Sequence, residues 1–141
     1  MEERPVTIER SVDFTFTKLV VDDLDAMAEF YCSVFDLHNV ARANFEHGVA
    51  GSAIEEIVLA TAPDARWGSF VLMKFKDRPP TKEVGVILGF TTTDLPALLD
   101  RVRRFGGSVI GDIKNMSEHG FRVALVRDPE GHLNELVEMV G

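Results

Sequence analysis

Apolar residues recur along the chain with two different periods, and the change of period marks the elements. Leu24, Met27, Ala28, Tyr31 and Val34 fall at i, i+3, i+4, i+7 and i+10, which is one face of an α-helix. Leu95, Leu98, Leu99, Val102 and Phe105 repeat that spacing, each 71 positions after its counterpart. Both stripes open with helix-starting chemistry. Asp22 or Asp23, and Thr93 or Asp94, offer side-chain oxygens to the free N–H groups of a first turn. Asp25 adds negative charge where the helix dipole favours it. Pro96 falls in a first turn, where its missing N–H costs nothing. Gly106-Gly107 closes the second helix, because glycine takes a left-handed cap without penalty.

Between the stripes the pattern changes to β-branched and aromatic runs broken by turn residues. Residues 14–21 lead into the first helix, and residues 37–43, 54–60 and 69–75 follow it. Residues 84–91 lead into the second helix, and residues 108–114, 121–127 and 132–139 follow it. Asp128-Pro129-Glu130-Gly131 has Pro and Gly where a β-turn takes them, so the last two strands form a hairpin. The chain is therefore an α+β protein, one domain over residues 1–141, built from two βαβββ modules at 14–75 and 84–139. One such module leaves a sheet face bare. Pairing two modules, within a chain or across a dimer, curls eight strands around a shared concavity.

Composition narrows the partners. The chain has 141 residues, 45% of them hydrophobic. A domain of this size buries roughly two thirds of its unfolded surface without needing staples. The net charge of −8 repels phosphate backbones and anionic lipid, which argues against nucleic acid and membrane as partners. A single cysteine, Cys32, rules out an intramolecular disulfide and agrees with a reducing, cytoplasmic setting. Residues 1–5 lack the basic-then-apolar pattern of a signal peptide. The longest apolar run, residues 84–90, is far shorter than the ~20 needed to span a bilayer. The chain reads as a soluble protein.

The repeat, the run Lys18-Leu19-Val20-Val21-Asp22-Asp23-Leu24 leading to Phe30-Tyr31, and Asp128-Pro129-Glu130-Gly131 leading to Glu135-Leu136 resemble the vicinal oxygen chelate superfamily. That group includes glyoxalase I, bleomycin-binding resistance proteins and extradiol dioxygenases. The resemblance spans residues 14–140 and implies the glyoxalase/bleomycin-resistance fold, a homodimer and a small-molecule ligand in the sheet cavity. It does not fix the chemistry, because one fold hosts many reactions. Metal-using members bind a divalent ion through four inward side chains. Carried onto this chain, those positions are Phe16, Leu72, Ile87 and Glu135. Only Glu135 is a donor, whereas a catalytic metal typically needs three protein ligands. The resemblance therefore implies a member with no cofactor, in which a divalent metal is disfavoured.

Glu135 shares a strand face with Leu133, Val137 and Met139 and is its one polar member. A buried carboxylate there would have a raised pKa and suit proton transfer, or it would be half of a structural ion pair. Lys18 and Lys74, two residues beyond Phe16 and Leu72, either face the same concavity, to neutralise Glu135 or hold an anionic group, or reach solvent. His47 and His119 lie in loops, where binding residues concentrate. His38 and His132 read as surface residues. Trp67, the one tryptophan, walls the cavity, a dimer interface or the core. Three functions remain open. They are a glyoxalase-type lyase or isomerase lacking the usual metal, with Glu135 moving a proton beside a carbonyl; a drug-sequestering binding protein; and a metal-dependent lyase, isomerase or dioxygenase with displaced ligands.

Overall fold

The protein, seen in a computed structural model, is described at residues 16–49, 52–66, 68–80, 86–117 and 120–139. The first module holds β1 (Thr17–Val20), α1 (Leu24–Phe35), β2 (His38–Val49), β3 (Ser52–Ala60) and β4 (Phe70–Phe75). The second holds β5 (Leu88–Thr92), α2 (Leu95–Arg104), β6 (Ser108–Met116), β7 (Phe121–Arg127) and β8 (Leu133–Met139). Both helices start where the repeat placed them. Asp23 accepts a hydrogen bond from the N–H of Ala26 at 3.0 Å, and Asp94 from that of Ala97 at 3.1 Å. Each bond satisfies one of the free donors of a first turn. Past α2 the chain turns at Gly106, whose φ of +91° is one a side chain would resist.

The strands form two mixed four-stranded sheets with the same topology, β1-β4-β3-β2 and β5-β8-β7-β6. In each, the strand before the helix runs parallel to the last strand of its module, and the other pairings are antiparallel. The two βαβββ units read from the sequence are therefore present.

One apolar core joins the modules. Leu19, Ile57, Leu59, Phe70 and Leu72 enter it from the first sheet, and Ala124, Val126 and Leu136 from the second. The stripes of α1 and α2 lie in the same cluster. Phe35 of α1 stacks on Phe90 of β5, with ring centroids 3.9 Å apart and planes 6° from parallel. Tyr31 sets its ring edge against Phe70 of the first sheet, centroids 4.9 Å apart. Each fully buried side chain of this kind contributes about 1.5–3 kcal/mol, so the shared core stabilises both modules. No helix among the described residues is long and apolar enough to cross a membrane.

Candidate functional site

With their helix-facing sides committed to the core, the sheets have only their other sides left for chemistry. On the first sheet that outward side carries Phe16, Lys18 and Val20 along β1, Val71 and Met73 along β4, and Ile54, Glu56 and Val58 along β3. Much of it is buried: Ile54, Glu56, Val58, Val71 and Met73 are all at most 4% exposed. The Nζ of Lys18 crosses β4 to donate to Oε2 of Glu56 at 2.5 Å. It also stands 5.8 Å from the centre of the Phe16 ring. The partner of Lys18 is thus Glu56, not Glu135.

The second sheet's outward side is open. Glu135 sits on β8 between Gly89 of β5 and Leu125 of β7. Leu133, Val137 and Met139 flank it along its own strand, and Ile87 extends the face just before β5. Ile87 is 53% and Met139 66% exposed. Glu135 is exposed as well, which corrects the expectation that it is shielded from water. The face around it is open, and Gly89 contributes no side chain beside it. Glu135 makes no hydrogen bond or ion pair with any described residue. Two cations share the face, Lys114 opposite Val123 and Arg127 opposite Leu133. Arg127 is engaged with the carbonyl of Gly131 at 3.0 Å.

The strand register corrects the position carried to β4. Lys18 pairs with Val71, and Gly89, which stands 71 positions after Lys18, pairs with Glu135. The first-sheet counterpart of Glu135 is therefore Val71. Leu72, its neighbour, points the other way and is fully buried in the core. The loop before β4 sets that register, and its length could not be counted from a helix start. The corrected set, Phe16, Val71, Ile87 and Glu135, still offers a single donor. Nor do the described residues contain any group of three or more His, Cys, Asp or Glu able to hold a metal. The divalent ion of metal-using relatives does not fit these side chains.

The remaining candidates scatter. Lys74 lies on the helix-facing side of β4 and donates to the carbonyl of Asp22 at 2.5 Å, closing the β1–α1 junction. His47 is exposed towards the far end of β2, away from Glu135 in the ladders. Trp67 and His119 lie outside the described residues.

Sequence reasoning missed a polar junction between the modules. Asp128, its side chain wholly buried, accepts from the Tyr31 hydroxyl at 2.9 Å and from the N–H groups of Glu130 and His132. Asn134 donates to the same hydroxyl at 3.1 Å. His132 is half-buried and engaged on both ring nitrogens, where the sequence suggested a surface residue. Its Nδ1 lies 2.7 Å from Oδ2 of Asp128, and its Nε2 3.0 Å from the carbonyl of Val20. Both neighbours only accept, so the protonated ring can donate to both. The bond to Asp128 raises its pKa, against the opposing effect of burial. Burial, followed by the Asp128 charge, drives the Tyr31 hydroxyl far above its ordinary value. Glu130 receives the N–H groups of Asp22 and Asp23 at 2.8 and 2.7 Å. The turn motif signalled a hairpin, and its acidic side chains were the available hint of a second role.

A family model described as Glyoxalase/Bleomycin resistance protein/Dioxygenase superfamily matches residues 12–136. No curated protein matches the chain. Among solved structures, a glyoxalase family protein from Bacillus cereus is 22% identical with a TM-score of 0.77, over 97% of this chain and 100% of that one. The trypanothione-dependent glyoxalase I of Leishmania major is 20% identical with a TM-score of 0.70, over 91% and 87%. Glyoxalase I from Zea mays is 16% identical with a TM-score of 0.67, over 88% of this chain and 43% of that one. At these identities the likeness establishes the fold.

Proposed function

The chain belongs to the glyoxalase/bleomycin resistance protein/dioxygenase superfamily, and from that premise we propose that it binds a small organic molecule on the outward face of its second sheet, without the divalent metal of metal-using relatives. One observation carries the reading: Glu135 is a lone carboxylate, exposed and unpartnered among the described residues, on an otherwise largely apolar strand face. Exposed and without a described partner, the carboxylate is free to meet a ligand that lies across the apolar side chains around it. A ligand with an apolar body and a cationic or proton-donating group complements this face. Where the ligand is a carbonyl compound, Glu135 takes a proton from the adjacent carbon and returns it, as a metal-free lyase or isomerase of glyoxalase type requires.

The drug-sequestering alternative rests on the net charge of −8, which favours cationic compounds. The metal-dependent alternative has the donor set against it. We also propose a cytoplasmic homodimer in which the second chain covers the exposed Ile87, Ile110 and Met139 at the edge of this face and encloses the ligand beside Glu135.

Fluorescence titration with rhodamine 6G, an apolar cation, tests the binding reading against the anionic dye 8-anilinonaphthalene-1-sulfonate. Rhodamine 6G should bind more tightly, and Glu135→Gln should weaken it by about 1.5–3 kcal/mol, the worth of a charged hydrogen bond. Equal binding by the variant, or no binding by the wild type, would sink the proposal. Deuterium uptake from D2O by hydroxyacetone, lost in Glu135→Gln, separates catalysis from sequestration.

A further inference from the structure

Gly89 is an odd residue for its place. It sits in the interior of β5, where glycine weakens a strand and usually answers to a backbone demand. Three such demands can be checked. Its φ is not in the left-handed region, since the glycines with positive φ are Gly106, Gly111, Gly120 and Gly131. There is no bulge, because the β5–β8 register runs unbroken from Leu88 with Asn134 to Thr92 with Glu138. No close neighbour excludes a side chain either, since a Cβ built there meets nothing within 4 Å.

The first module shows what the fold accepts at this place. The same position in the same topology is Lys18, a long side chain that crosses the neighbouring strand over Val71 and Met73 to reach Glu56. A side chain at position 89 taking that course would lie over Glu135, the residue paired with it. What the glycine preserves is therefore access to the carboxylate.

We infer that Gly89 is a specificity-determining residue: it leaves a notch beside Glu135, open over the β5 backbone, through which a ligand group reaches the carboxylate and which a larger side chain at position 89 would cover. The inference rests on the ligand-binding reading of Glu135 and adds to it the residue that selects by size. It also predicts the shape of the ligand. The group that meets Glu135 lies flat against the β5 backbone, with no side chain of this chain between them.

The experiment is a series at one position, Gly89→Ala, Gly89→Leu and Gly89→Lys. Each is read by rhodamine 6G titration, thermal melting and light scattering, beside wild type and Glu135→Gln. Melting and mass should stay as in wild type across the series. Affinity should fall little in Gly89→Ala and about tenfold or more in Gly89→Leu, the scale on which pockets discriminate added carbon. Gly89→Lys should lose the dye as Glu135→Gln does, by giving Glu135 the partner that Lys18 gives Glu56. If Gly89→Leu misfolds, Gly89→Lys decides, since lysine already occupies the sister position.

Wild-type affinity in both Gly89→Leu and Gly89→Lys, with Glu135→Gln still impaired, would overturn the inference and leave the binding reading standing. Wild type that fails to bind the dye would overturn both. A change of molecular mass in Gly89→Leu would show that a second chain fills the notch, and would overturn the inference.

Discussion

The outward faces of the two sheets share a topology and differ in what they do with charge. On the first, Lys18 and Glu56 are joined across an apolar middle strand, and the surrounding Ile54, Val58, Val71 and Met73 are buried. On the second, the two corresponding positions are Gly89 and Val123, and the charge has moved to the middle strand as Glu135. The first arrangement satisfies itself within the chain. The second leaves a carboxylate with no described partner, so any partner it acquires comes from outside. Duplicating a module thus duplicates a frame of strands, while the residues on the exposed side of that frame set what it binds.

The comparison would break first at Lys18. Lys18→Met strands Glu56 under cover, and removing one partner of a buried pair costs about 3–5 kcal/mol, with the partial exposure of Lys18 favouring the lower end. Urea denaturation followed by circular dichroism should show that loss. Lys18→Met combined with Glu56→Leu should recover most of it. A single variant as stable as wild type, or a double variant no more stable than the single one, would mean the pair is not the closed unit described.

A smaller effect tests whether the two faces belong to one cooperative body. Tyr31→Phe removes the hydroxyl that joins Asp128 to Asn134 across the modules. Leaving the buried Asn134 amide without its acceptor costs about 1–3 kcal/mol. Melting should remain a single transition at a lower temperature. Two separated transitions would show modules that unfold independently.

A third test uses pH. His132 has a folded-state pKa raised above 6.5, chiefly by its bond to Asp128. A raised value means the folded protein holds the proton more tightly than the unfolded chain does. The stabilisation is therefore complete below pH 6.5 and is lost as pH rises through the folded value. Wild type should lose stability over that rise relative to His132→Gln. Parallel curves for the two proteins would show that the ring is not held as an imidazolium.

The smallest effect sharpens the contrast. Glu135→Gln should change stability by no more than about 0.5 kcal/mol, as for a surface site without partners. Gly89→Ala should be neutral or stabilising, by up to roughly 0.5–1 kcal/mol. A large loss at Glu135 would mark it as structural and remove the distinction between the faces.

What could be read from the sequence was local or locally counted. The 71-residue offset narrowed the caps to Asp22 or Asp23 and to Thr93 or Asp94, because capping and helical periodicity act within a few residues, and the fold uses Asp23 and Asp94. Counting from the helix starts placed Phe16 and Ile87, and strand alternation grouped Glu135 with Leu133, Val137 and Met139, over equally short distances along the chain. Leu72 failed because its register depends on the loop from Thr61 to Ser69, and a slip of one residue exchanges the faces. Lys18 found Glu56, 38 residues away, and His132 found Val20, 112 residues away. Neither partner lies within the range of a periodic pattern. The exposure of Glu135 was missed because burial was inferred from its apolar neighbours on one strand, while the apolar residues around it, Ile87, Ile110 and Met139, are themselves exposed.

The turn Asp128-Pro129-Glu130-Gly131 belongs to the second module, yet Glu130 receives the N–H groups of Asp22 and Asp23 at the mouth of α1, and Asp128 holds the hydroxyl of Tyr31. The halves have ceased to be interchangeable parts. Cut between β4 and β5, the chain would yield a leading piece whose helix entrance has lost its anchor and a trailing piece whose anchor has nothing to grip. Such pieces should be insoluble when expressed separately and reassemble when made together, the behaviour of a split reporter. Soluble, folded leading pieces on their own would show that the borrowed turn is dispensable.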